Sequence, residues 1–158
     1  MASKILSTFE TIVKPVIHFI SLANGVGSST DTVDNTTTRA SMCMVFLRIK
    51  TADHAPTANT PVKLYLIRHS NDGTAISDNA ISATHSAAGG IAAEPTQAEC
   101  LGSIILGTGT ATVYEKSFLA YDLSPKYSFV VWNACGTHLS DTEADSELQV
   151  LPVTPEGQ

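Results

Sequence analysis

Apolar and polar positions alternate along most of the chain in short runs. In residues 41–50, Cys43, Val45, Leu47 and Ile49 share one face, while Met44 and Phe46 lie on the other, followed by Arg48 and Lys50. A period of two with apolar side chains on both faces predicts a strand inside packed sheets. Residues 61–69 (PVKLYLIRH) repeat the pattern, with Val62, Leu64 and Leu66 opposing Tyr65 and Ile67. A short run, GSIILG, covers 102–107. Residues 111–121 and 126–133 are rich in β-branched and aromatic side chains, which suit a pleated surface. Residues 147–153 (ELQVLPV) predict a last strand, with Pro152 placing its end at a sheet edge.

Turn chemistry separates these runs. Asn71-Asp72-Gly73 is a strong turn signal, and Gly107-Thr108-Gly109 between two strands predicts a hairpin. Leu123-Ser124-Pro125 and the polar stretch 136–145 are further breaks. Residues 80–100 are small, Gly/Ala-rich and aperiodic, which predicts a long extended loop or arm. Near the N-terminus, Ile5, Phe9, Ile12, Val13, Val16, Ile17 and Ile20 recur at helical spacing. Pro15 would cost a helix interior about 3 kcal/mol, so residues 9–20 are predicted as strand. Seven or eight strands with little helix imply an all-β chain: a single β-sandwich over residues 1–158, with a jelly roll as one form it can take.

Composition narrows the function classes. The 158 residues suit one domain, and 43% of them are hydrophobic. Only 15% are charged, against roughly 25% in an average soluble domain. A surface of Thr, Ser, Asn and Ala favours close contact with other protein. The net charge of -6 includes no basic run, so neither nucleic acid nor an anionic membrane is an expected partner. Cys43, Cys100 and Cys135 are odd in number and widely spaced, which predicts reduced thiols rather than a disulfide framework. Glu10, Lys14 and Pro15 interrupt the N-terminal apolar run, and no 18-residue apolar stretch occurs. The chain is therefore expected to be soluble and unexported.

Leu66-Ile67-Arg68-His69 has the form in which histidine phosphatases present a phosphate-accepting histidine and its arginine. Those enzymes carry the motif on the first strand of an α/β sheet. Here some sixty residues of β-like sequence precede it, and Ser70 stands where that family has glycine. Arg68 and His69 are thus predicted to be the polar rim of a strand. Cys135 and His138 offer two metal ligands where zinc needs about four. Asp31, Asp34 and Asn35, like Asp72, Asp78 and Asn79, lack the regular calcium-loop spacing and suit turns. Asn35-Thr36-Thr37 has the pattern of a glycosylation site, without weight in an unexported chain. Trp132 lies in an apolar strand and is expected in a core. No catalytic residue, metal or cofactor is expected.

Two stretches carry a resemblance. Residues 21–25 (SLANG), Ser29 and residues 31–36 (DTVDNT) resemble the N-terminal third of small virion structural proteins of tailed bacteriophages. Residues 123–133 (LSPKYSFVVWN), then Gly136 and Leu139, look like the C-terminal pattern of the same proteins, while residues 80–110 have no counterpart. The resemblance implies a particle component, most like a capsid decoration (cement) protein. Such proteins are non-enzymatic β-domains that bind the major capsid protein on the outer shell and brace it. The implied location is the virion surface after assembly in the host cytoplasm. The implied partners are the capsid protein and copies of this chain, as dimer or trimer. On this reading residues 1–8, with Lys4, Ile5 and Leu6, are an anchor, and the 80–100 arm, with Ile91 and Glu94, crosses to neighbouring subunits. Arg68 would meet a carboxylate across an interface. The alternative is a tail or fibre module binding host glycans through Tyr65, Tyr114, Tyr121 or Trp132; a phosphatase is a weaker third reading.

Overall fold

A computed structural model describes residues 6–70, 72 and 90–156. Nine strands are defined in chain order: β1 (Leu6–Phe9), β2 (Val26–Ser29), β3 (Val33–Asp34), β4 (Met42–Lys50), β5 (Thr60–His69), β6 (Glu99–Leu106), β7 (Val113–Tyr121), β8 (Lys126–Asn133) and β9 (Glu147–Glu156). Among the described residues, the only helical structure is a 3-10 turn, Glu143–Asp145. The strands form two antiparallel sheets, one ordered β1-β9-β4-β7 and the other β2-β8-β5-β6. β3 continues along the edge of β8 already used by β2, so the two act as one interrupted strand. The sheets pack face to face as a β-sandwich, the predicted fold class.

Alternation decides what fills the space between them. Cys43, Val45, Leu47 and Ile49 of β4 point inward and are at most 1% exposed. They meet Val62, Leu64 and Leu66 of β5 and Tyr127, Phe129 and Val131 of β8 across the core. Phe118 and Ala120 of β7 and Leu148 and Val150 of β9 complete it. Burying one side chain of this kind contributes about 1.5–3 kcal/mol, so the inner faces drive association of the two layers. Tyr65, Ile67, Val130 and Trp132 form a second cluster on the opposite face of β5 and β8, closed by Ile91 and Ala98. Trp132 is thus core, as its strand predicted.

Several expectations need correction. Gly107-Thr108-Gly109 is no hairpin: it carries the chain from β6 in one sheet to β7 in the other. β9 lies between β1 and β4 rather than at an edge. Pro152 fits there because its carbonyl accepts from Glu10 N (3.0 Å), so its missing N–H faces the same side, just past the end of β1. The strand expected over 9–20 ends at Phe9. Beyond it the chain stays extended, and from Pro15 to Ile20 its side chains alternate inward and outward, but no continuous ladder forms. Its backbone is satisfied piecemeal: Val13 exchanges two bonds with Val150, and Val16 N donates to Asp31 Oδ1 (2.9 Å).

The expected arm is also redrawn. Glu99 and Cys100 already belong to β6, and Ile91 bridges Gly27 on β2. Residues 90–98 therefore fold back on their own sheet, and residues 80–89 lie outside the described part. A register shift between Leu64 and Tyr65 lets Gly102 oppose Leu64 at φ 142°, where only glycine is at ease. A Cβ there would sit 3.1 Å from the Phe118 ring, so the bulge and the close approach of the sheets require the same residue.

Candidate docking surface

The catalytic and metal candidates dissolve into structure. His69 is 1% exposed, and its Nε2 lies 2.8 Å from the buried Ser128 Oγ. It is a core histidine, not the rim residue expected from its place at a strand end. Arg68 clamps the two sheets at one corner: Nε donates to Asp122 O (3.0 Å), and Nη2 to Tyr121 O (3.0 Å) and Glu99 Oε2 (2.5 Å). The carboxylate it was expected to meet in another subunit is supplied by its own chain. Cys135 is fully buried and His138 lies on the surface, and among the described residues no group of His, Cys, Asp and Glu could hold a metal.

The acidic turns do structural work. Asp34 accepts from Thr36 N (2.8 Å) and Thr36 Oγ1 (2.6 Å), and these bonds hold its carboxyl below the usual range. Asn35 is buried, donating to Ala40 O and Ser124 O and accepting from Ala40 N. An amide so engaged is a loop staple and leaves no room for a glycan. Asp72 is in a turn, whereas Asp78 and Asn79 lie outside the described residues.

Of the six expected contact residues, Lys4 and Ile5 fall outside the described residues, and Leu6 opens β1 opposite Glu156. Ile91 packs on the cluster around Trp132. Glu94 accepts from Lys63 Nζ (2.6 Å) and from the Tyr65 hydroxyl. These bonds hold the Glu94 carboxyl down and, with burial as the larger cause, push the Tyr65 phenol up. Arg68, Ile91 and Glu94 therefore spend their polar and apolar contacts inside the molecule, and the structure does not bring the six together.

A different surface stands out. Phe9 (65% exposed), Ile12, Val13, Val16 and Ile20 make an apolar ridge along β1 and the extended segment that follows it, broken by Lys14, which reaches Glu147. Val16 and Ile20 face solvent because alternation turns Ile17 and Phe19 inward, whereas residues 11–14 are all exposed and Val13 only bridges the edge of β9 at Val150. The ridge runs into the outer face of the β1-β9-β4-β7 sheet. There register places Met42 between Val153 and Tyr121, and Met44 between Leu151 and Leu119. No charged side chain interrupts these two rows. Exposed apolar surface of this kind is a candidate contact with another molecule. The sequence held the signal as excess apolar residues in 9–20, too many for one buried face.

Among the described residues no helix is long and apolar enough to cross a membrane. No protein-family model matches the chain, and no curated protein matches it either.

Proposed function

We propose that the protein is a non-enzymatic structural component of a phage virion, a decoration protein that binds the capsid shell and bridges its subunits. The exposed apolar ridge Phe9–Ile12–Val13–Val16–Ile20 carries the reading. It is exposed apolar surface of the kind that docks on other protein, on a chain poor in charge. The strand order supports it by analogy of fold. The order β1-β9-β4-β7 over β2-β8-β5-β6 supports reading the sandwich as a jelly roll, an architecture used in virus capsids and lectins. The ridge, rather than residues 1–8 with a bridging arm over 80–100, is then the anchor. Many weak copies held by a symmetric shell bind more firmly than one, and a dimer or trimer matches the shell's axes.

The test is co-sedimentation with shells stripped of this protein. The wild type is expected to pellet with them, and a Phe9→Ser/Ile12→Ser/Ile20→Ser variant to stay in solution with unchanged circular dichroism. A variant that pellets like the wild type overturns the docking reading. Copy number in purified virions separates shell from tail: hundreds of copies support decoration, a handful the glycan-binding alternative. That alternative loses two of its expected aromatics, since Tyr65 and Trp132 are buried.

A further inference from the structure

On the outer face of the β1-β9-β4-β7 sheet, beyond the two apolar rows, lies a shallow cleft of about 610 Å³. That volume falls within the roughly 300–1,000 Å³ typical of small-ligand sites. Three neighbouring strands build it. Register sets Phe46 of β4 between Ser117 of β7 and Gln149 of β9. The next outward row is Glu115, Arg48 and Glu147. Phe46 stays 36% exposed, an aromatic side chain left facing solvent in the middle of the sheet.

The lining points to a ligand class. Lys116 turns the other way, its Nζ donating to Ser103 O (2.8 Å) beside the Phe118 ring, so Arg48 and the Lys14 held by Glu147 are the cations that balance Glu115 and Glu147, and the cleft carries no excess charge to attract an anion or a cation. Arg48 Nε is 3.6 Å from Glu115 Oε1, and Glu147 already holds Lys14 at 2.5 Å, so these charges are largely spoken for. What remains is an apolar ring surrounded by a hydroxyl, an amide and partly satisfied charged groups that both donate and accept. A pyranose has the matching form: a face of polarised C–H bonds for the negative π face of Phe46, and hydroxyls around its rim. Strand-borne groups are held by the ladder, so the site is formed before the ligand arrives.

We propose that this cleft binds a neutral carbohydrate, with Phe46 as the stacking platform and Arg48, Ser117 and Gln149 as the hydroxyl-reading groups. It adjoins the docking ridge but uses none of its residues, so the two stand or fall separately.

Lactose, maltose and chitobiose are each titrated to about 20 mM, the range of weak single-site sugar binding, against the isotopically labelled protein and followed by amide chemical shifts. At least one of the three is expected to move the amides of Phe46, Arg48, Ser117 and Gln149 with a saturating curve. Phe46→Ala is expected to weaken it about tenfold or more, while Phe46→Tyr keeps it. Sialyllactose is expected to bind no better than lactose. The Phe9→Ser/Ile12→Ser/Ile20→Ser variant is expected to bind sugar as the wild type does, whatever becomes of shell docking. Absence of shifts with all three neutral sugars, shifts mapping elsewhere, or an unaffected Phe46→Ala would each overturn the assignment.

Discussion

His69 Nε2 and Ser128 Oγ sit 2.8 Å apart on neighbouring strands, both closed off from solvent. A histidine that must attack phosphate has to reach it, and this ring faces a serine instead. His69→Ala is expected to lower stability by about 2–4 kcal/mol, from the cavity and from the orphaned serine hydroxyl. Urea denaturation measures it. In the same preparations, p-nitrophenyl phosphate hydrolysis is expected to be absent from wild type and variant alike.

Tyr127 is fully buried between the sheets, and its hydroxyl finds no hydrogen-bond partner among the described residues. Burial pushes its phenol well above the ordinary value, with nearby Cys43 a smaller cause. The ring packs edge-on against Phe129 at 5.6 Å. Removing only the oxygen keeps that packing and relieves an unpaired polar group. Tyr127→Phe is therefore expected to raise stability by about 1 kcal/mol, read as a higher urea midpoint at unchanged slope.

The three thiols differ sharply. Burial pushes Cys43 up to about 12 and raises Cys135, while Cys100 is exposed on β6. Only Cys100 is expected to react with a thiol reagent in the native protein, and all three in urea. Cys100→Ser should leave a native protein that does not react within minutes. Rapid native labelling of two or three thiols would contradict the packing of the core.

Acid is expected to destabilise the fold through identified carboxylates. Glu94 is held below its ordinary 4.5 by Lys63 first and Tyr65 second, and Glu147 chiefly by Lys14. Asp145 is held below 3.8 by the Ser140 hydroxyl and then Lys50. A carboxyl depressed in the folded state takes up its proton more readily when unfolded. Its contribution is complete above the ordinary value and is lost as pH falls through the folded one. The urea midpoint should thus hold down to about pH 5 and drop steadily below about pH 4. Glu94→Gln should shallow that drop, measured by midpoints across the acid range.

The strands whose neighbours bury both or one of their faces were legible. The alternation of Cys43 to Ile49 and of Val62 to Leu66 named the inner face residue by residue, and residues 126–133 matched β8 at both ends. β2 and β3 were not, because Val26-Gly27-Ser28-Ser29 carries no apolar period. Its strand character comes from pairing with Val130–Asn133, some hundred residues away. His69 misled for a similar reason: a polar residue at a strand end looks solvated until the partner strand supplies Ser128. The resemblance stretches turned out to hold polar staples. Asn133 donates to Leu22 O (2.7 Å) and Thr137 O (2.8 Å), joining the two stretches that carried it. The cleft at Phe46 left no trace in the linear pattern, since its lining comes from three strands that only register brings side by side.

β9 lies between β1 and β4. On a ribosome, which releases the chain from its N-terminal end, β4 has only β7 beside it, and β1 has no ladder at all, until residues 147–156 emerge. The extended segment that follows β1 likewise has no strand to bridge until then. Closure of the β1-β9-β4-β7 sheet is therefore a long-range event, and folding that waits on such pairings is slower than folding by neighbours in sequence.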